Sequence, residues 1–236
     1  MKNKKYNSIA RKLYREGSDY QFEHDEILLG APTSFSLTRD PKHLAFVLAR
    51  YKFCAKMLEG KKKVMEVGSG DGIGLPIIAK AVNHVYCVDW DKRHIESIKR
   101  RLLKYYNNIT LKHLDINVEA PNIKVDAAFS IDVIEHLHPK QEKKFIENII
   151  GCLPRTGVLI IGTPNITASQ HASPRSAVQH INLKSFQSLR ELMECYFDNV
   201  FMFGMNDEVV HTGYAPMCHY IWSVATGLKD HFVKTK

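Results

Sequence analysis

The chain has 236 residues, 44% of them hydrophobic, and a formal net charge of +8, which suits one sizeable α/β domain with an extension and is small for two full domains. No apolar run approaches the roughly 18 residues needed to span a bilayer, and none follows the basic start Met1-Lys2-Asn3-Lys4-Lys5-Tyr6, so neither a membrane partner nor a secretory signal is expected. Five widely spaced cysteines (Cys54, Cys87, Cys152, Cys195 and Cys218) with no Cys-x-x-Cys disfavour structural zinc and a disulfide framework, and a reducing, cytoplasmic setting is expected.

The positive charge has two readings, a surface for phosphate-bearing partners or lysines solvating helix faces. The basic residues fall into separate groups (Lys2 to Lys5, Lys61 to Lys63, Lys99 to Lys104, Lys140 to Lys144) with no long block interleaved with aromatics, which favours solvation. In chain order, residues 1–60 form an N-terminal helical extension or lid, and residues 61–236 the main domain. Tyr20 to Arg39 is aromatic, turn-rich and without a clear period. Asp40-Pro41 then opens a capped helix over Lys42 to Phe53, with proline at the first helical position.

From Lys63 onward strand and helix patterns alternate. Strands are predicted at Val64–Val67, His84–Val88, Ile109–Leu114, Val125–Ile131 and Val158–Gly162, with helices at Ile73–Ala81, Lys92–Tyr105 and Gln141–Leu153. This rhythm implies a parallel, doubly wound sheet. Past Pro164 it breaks: Asn165–Gln179 reads as polar and irregular, Leu183–Tyr196 as a helix, and Asn199–Met205 and Met217–Ala225 as two last strands with an antiparallel finish.

The first strand runs into Glu66-Val67-Gly68-Ser69-Gly70-Asp71-Gly72-Ile73-Gly74, a bare backbone turn on which a nucleotide-like ligand can lie. The dinucleotide fingerprint Gly-x-Gly-x-x-Gly fails here, because its sixth position falls on Ile73 or on Leu75. The pattern acidic-x-Gly-x-Gly-x-Gly instead resembles motif I of the class I S-adenosylmethionine (SAM)-dependent methyltransferases. Asp89 ends the next strand 23 residues beyond Glu66 and is placed to accept hydrogen bonds from ribose hydroxyls. Leu114-Asp115-Ile116, Asp126 to Asp132 and Leu153-Pro154-Arg155-Thr156-Gly157 with the strand after it resemble further ordered motifs of that family, the last departing slightly from the usual glycines.

The resemblance implies a Rossmann-like, doubly wound, seven-stranded, mostly parallel sheet with an antiparallel last strand. It implies SAM as cofactor, held by Glu66, Gly68, Gly70, Gly72, Asp89, Trp90, Asp115, Ile116 and Ser130.

After the fourth strand comes Asp132-Val133-Ile134-Glu135-His136-Leu137. As one helical turn it would bring 132, 135 and 136 to one face. The segment is similar to the Glu-x-x-Glu-His signature of small-RNA 3′-terminal 2′-O-methyltransferases and to its counterpart in ubiquinone-biosynthesis O-methyltransferases. In the small-RNA enzymes a later histidine completes a divalent-metal site, and His180 holds the comparable place. The resemblance thus implies a ligand set of Asp132, Glu135, His136 and His180 for Mg²⁺, Mn²⁺ or Zn²⁺, although Asp132 is one carbon shorter than the family's glutamate. Three readings stay open: a metal centre, a metal-free base or pocket lining built on Glu135, His136 and His180, and a purely structural role.

His211 and Tyr214, between the last strands, are candidates for substrate contact, and Asn165, His171 and His219 are further ones. His84, His94 and His113 are expected to be structural. The chain lacks the Asn-Pro-Pro-Tyr type motif of amino-group methylators, with Ile131-Asp132-Val133-Ile134 in its place. The expected acceptor is an oxygen on a small molecule or glycan. RNA 2′-O-methylation and non-catalytic SAM binding are the alternatives.

Overall fold

The structure, a computed structural model, describes residues 2–22 and 24–233. Met1, Glu23 and residues 234–236, which fall in the two expected segments, lie outside the described residues. Three helices precede the sheet: α1 (Lys2–Phe22), α2 (Ala31–Arg39) and α3 (Pro41–Met57). The strands are β1 (Val64–Val67), β2 (Val85–Asp89), β3 (Ile109–His113), β4 (Ala127–Ile131), β5 (Val158–Pro164), β6 (Phe197–Asn206), β7 (Val209–His211) and β8 (Tyr220–Leu228). Between them lie α4 (Leu75–Ala81), α5 (Lys92–Leu102), α6 (Glu142–Ile150), α7 (Pro174–Gln179) and α8 (Phe186–Glu194).

One sheet holds all eight strands in the order β3-β2-β1-β4-β5-β8-β6-β7. β1 to β5 pair in parallel, and β8 runs antiparallel between β5 and β6. The expected seven strands are all present, each within a few residues of its predicted bounds. β7 is an addition: it pairs with β6 through a tight hairpin at Asp207-Glu208, with Asp207 at φ 49. Three residues of β7 are too few to carry a period that sequence reading can detect.

Alternation along β1 shows why the sheet is covered on both faces. Met65 and Val67 join a layer with Phe145 and Ile149 of α6 and Leu189 and Met193 of α8. Val64 joins the other layer, with Tyr51 and Cys54 of α3, Leu75 and Ile78 of α4, and Ile95 and Ile98 of α5. α5 turns its Ile95, Ile98 and Leu102 stripe inward, and Asp91 caps it by accepting from Arg93 N–H at 2.8 Å.

Two segments read as irregular are helical. α2 begins after Gly30 with Pro32 in its first turn, and its position is set by a long-range bond: Thr33 N–H and Oγ1 donate to the Asp71 carboxylate at 2.9 and 3.0 Å. Asn165–Gln179 forms a 3-10 turn at Ile166–His171 and then α7. These are capped by Asn165 and Ser173, and short polar helices of this kind lack the apolar period that sequence reading depends on. No helix among the described residues is long and apolar enough to cross a membrane.

Candidate active site

The C-terminal ends of the parallel strands form the functional edge, as in open α/β sheets generally. After β1 the chain turns through Gly68 (φ 81), Gly70 (φ 54) and Gly72 (φ 75), conformations that side-chain-bearing residues rarely adopt. The three have different tasks. A Cβ on Gly70 would meet nothing within 4 Å, so its backbone stands open to a ligand. A Cβ on Gly68 would overlap Val133, which lets the turn after β4 approach. One on Gly72 would meet Ile98 and Leu75, so this glycine serves the packing of α4 and α5.

Beside this turn lies a cavity of about 810 Å³, within the size range of cofactor sites. Gly68, Gly70, Asp89, Trp90, Asp115 and Ile116 line it, together with His94, Arg175 and Gln179. Asp89 is fixed at the end of β2: one carboxylate oxygen accepts from Asp91 N–H at 2.8 Å and the other from Gly70 N–H at 3.0 Å. A carboxylate has about four acceptor positions, so capacity remains for a diol. His94 sits at 3.4 Å from Asp89, and that contact raises the imidazole's pKa above its ordinary value. It is thus part of the cavity wall, where the sequence suggested only a structural histidine.

Three expected cofactor residues lie behind the cavity. Glu66 is buried beneath the turn and accepts from Tyr51 Oη at 2.7 Å. Burial pushes its carboxyl up to about 7, against the lowering effect of the Tyr51 bond. Gly72 packs as described, and Ser130 Oγ donates to Val67 O at 3.0 Å, clasping β4 to β1.

Asp132 follows β4 in the left-handed region (φ 55), and its N–H donates to Gly162 O at 3.1 Å. A 3-10 turn at Ile134–His136 comes next. The single helical turn foreseen from sequence therefore does not form, and Asp132 stays near Glu135 but outside the group whose ligand atoms converge. Its carboxylate accepts from Arg50 Nη1 of α3 at 2.6 Å, while the Arg50 guanidinium lies 3.9 Å above the Tyr220 ring.

Glu135, His136 and His180 do converge: one ligand atom from each lies within 4.8 Å of the others. Backbone bonds hold the second segment in place, since Asn182 N–H donates to Glu135 O at 3.0 Å and Asn182 Nδ2 to Ile134 O at 3.3 Å. His136 Nδ1 stands 3.1 Å from Gln179 O, a pairing that puts the proton on Nδ1 and leaves Nε2 as the acceptor. Thr163 Oγ1 donates to Glu135 Oε2 at 3.1 Å, and Oε1 is buried without a partner among the described residues. Burial, reinforced by nearby Asp132, pushes the Glu135 carboxyl up to about 8. His180 is held below the ordinary imidazole value by burial and by His136 beside it.

A second cavity of about 630 Å³ opens on the other side of this cluster. Its walls include Arg50, Asp132, Glu135, His136 and His180, with Asn165, His171 and His219. Asp132 and His136 border both cavities. His211 and Tyr214 line neither: His211 pairs with Asn206 Oδ1 at 2.8 Å inside the hairpin, and Tyr214 is exposed.

Sequence reading missed Arg50 and Thr163. Each left a signal, a lone arginine within the apolar run of α3 and a polar residue at the carboxyl end of an apolar strand.

Residues 65–159 match the family model of a methyltransferase domain. A probable SAM-dependent methyltransferase of Mycolicibacterium smegmatis is 27% identical over 135 residues, 56% of this chain and 50% of the relative. One of Mycobacterium tuberculosis is 28% identical over 105 residues, 44% of this chain and 36% of the relative. The chain thus spans half or less of the length of these curated relatives. The methyltransferase domain of bacterial CtHen1 superposes with a TM-score of 0.62 at 21% identity, over 77% of this chain and 99% of that one. The SAH complex of DhpI does so with a TM-score of 0.61 at 14% identity, over 83% and 90%. At such identities these two structures speak for the fold alone.

Proposed function

We propose that this class I SAM-dependent methyltransferase domain transfers the cofactor's methyl group to a hydroxyl oxygen of a small molecule or glycan. The observation that carries the reading is the Glu135–His136–His180 cluster, which stands where the cofactor cavity meets the second cavity. In the transfer the carbon–sulfur bond breaks, the carbon–oxygen bond forms in line with it, and the hydroxyl proton leaves the acceptor. The chain has to align the two reactants and take that proton. His136 offers Nε2 for it, because Nδ1 is committed to Gln179 O at 3.1 Å. His180, held below the ordinary imidazole value by burial and by His136, stands beside it as a second acceptor.

The same three side chains suit a divalent cation. A buried carboxyl oxygen without a partner and two imidazoles, one oriented through its other nitrogen by a backbone carbonyl, match the donor type and support that Mg²⁺, Mn²⁺ or Zn²⁺ uses. Such an ion would lower the pKa of the acceptor hydroxyl. Asp132, the fourth ligand suggested by the resemblance, is engaged by Arg50 instead.

The test is transfer from labelled SAM into cell-extract fractions separated into nucleic acid, glycan and metabolite pools. Label is expected in glycan or metabolite, with His136→Ala abolishing transfer and leaving SAM affinity nearly intact. Loss of SAM binding in that variant would assign His136 to the cofactor site. Full activity in excess chelator, with no metal by elemental analysis, would remove the cation. A second reading, methylation of an RNA 2′-hydroxyl, is favoured by the resemblance of the Asp132 to His136 segment to the small-RNA enzymes and by the +8 charge; label in the nucleic-acid pool would establish it.

A further inference from the structure

Arg50 is the only lysine or arginine that lines the second cavity among the described residues, while Asp132, Glu135 and Asp207 all border it. Its charge is already offset, although Nε is buried without a hydrogen-bond partner among the described residues. Nη1 is bonded to Asp132 Oδ2 at 2.6 Å, one face is covered by the Tyr220 ring at 3.9 Å, and the residue is 7% exposed. We infer that this cavity takes an uncharged, hydroxyl-rich ring and rejects phosphate- or carboxylate-bearing acceptors, because Asp132 already neutralises its one fixed cation.

The inference rests on the second cavity being the acceptor site, and it names the acceptor class within that reading. An anion reaching for Nε of Arg50 would come to lie beside Asp132, with Asp207 on the same wall. That would set like charges side by side around one cation already offset by Asp132, a juxtaposition that costs binding energy. Hydroxyl groups meet no such barrier, since they donate to Asp132 and Asp207 and exchange hydrogen bonds with imidazoles and with Ser176. The Phe46 ring, tilted against His219 with centroids 6.1 Å apart, adds a flat apolar face for the carbon side of a sugar ring. His219 is itself held below the ordinary imidazole value, first by burial and then by Arg50.

Inorganic phosphate probes this directly, by titration of the full chain followed by calorimetry. Wild type is expected to show no saturable binding. Asp132→Asn removes the charge that offsets Arg50 and should tighten phosphate binding by about tenfold or more, the worth of a charge-assisted hydrogen bond. The double variant Arg50→Gln/Asp132→Asn should lose that gain. Phosphate bound equally well by wild type and Asp132→Asn would overturn the inference. A second measurement needs no variant: labelled SAM with wild-type protein and either neutral oligosaccharides, sugar phosphates or an RNA oligonucleotide. Transfer to the neutral sugars is expected, and preferential transfer to either phosphate-bearing class would overturn the inference. Absence of transfer to every pool, or absence of SAM binding, would instead strike the methyltransferase reading and leave the phosphate titration standing as its own test.

Discussion

Replacing Glu66 with glutamine should flatten the pH dependence of stability. Glu66 is 1% exposed, and its carboxyl is raised from the ordinary 4.5 to about 7. Between those values the native protein keeps a proton that the unfolded chain has released. Unfolding therefore releases a proton, and stability falls as pH rises through this window. The contribution is fully present below pH 4.5 and fully lost above pH 7. At about 1.36 kcal/mol per pH unit the loss across the window comes to roughly 3 kcal/mol.

The amide that Glu66→Gln introduces does not titrate, so this variant should lack the slope. Its absolute stability is offset by how well the amide accepts from Tyr51 and finds a partner for its NH₂ group, so the slope and not the offset is the measure. Glu135, raised to about 8, adds a similar slope to both proteins, and the difference between their curves isolates Glu66. Urea unfolding of the two proteins across the window provides the curves. Parallel curves would refute the reasoning. SAM affinity of Glu66→Gln should stay within about threefold of wild type, because the side chain borders neither cavity; a loss of more than about tenfold would put Glu66 in contact with the cofactor.

Asp89→Ala should weaken SAM binding by about ten- to a hundredfold in calorimetry, the range for charge-assisted hydrogen bonds, while an unchanged affinity would remove Asp89 from the ribose site. Gly68→Ala combines a positive φ with overlap on Val133, so it should cost about 1–3 kcal/mol in urea unfolding and weaken SAM binding. Thr163→Val keeps the shape of the side chain and deletes the bond to Glu135 Oε2. It should lower the rate of transfer from labelled SAM by about tenfold with SAM affinity unchanged, and a wild-type rate would mean that Thr163 does not hold Glu135 in its working position.

Much of the wall of the first cavity was legible in the chain. β1 kept its predicted bounds because a short apolar run ending in alternating glycines can do little else. Asp89 and Asp115 followed because strand ends in this fold deliver residues to one edge. These are local properties, fixed by backbone sterics and by which residues tolerate burial. Glu66 shows the limit: its place in the motif is local, but whether it touches a ligand or sits beneath the turn depends on Tyr51, which arrives from another element.

The second cavity was decided by tertiary structure. A helical turn would have put Asp132 beside Glu135 and His136, yet the left-handed Asp132 and the 3-10 turn send its carboxylate to Arg50, 82 residues away in sequence. His180 reaches the cluster because Asn182 is bonded to Glu135 O. The sequence by itself determined the sheet and the glycine turn, since each follows from the pattern of a few adjacent residues. Only the packing of α3, β4, β5 and the 179–184 segment against one another decided which acids stand free and which are paired, because a buried charge takes the partner that folding brings to it.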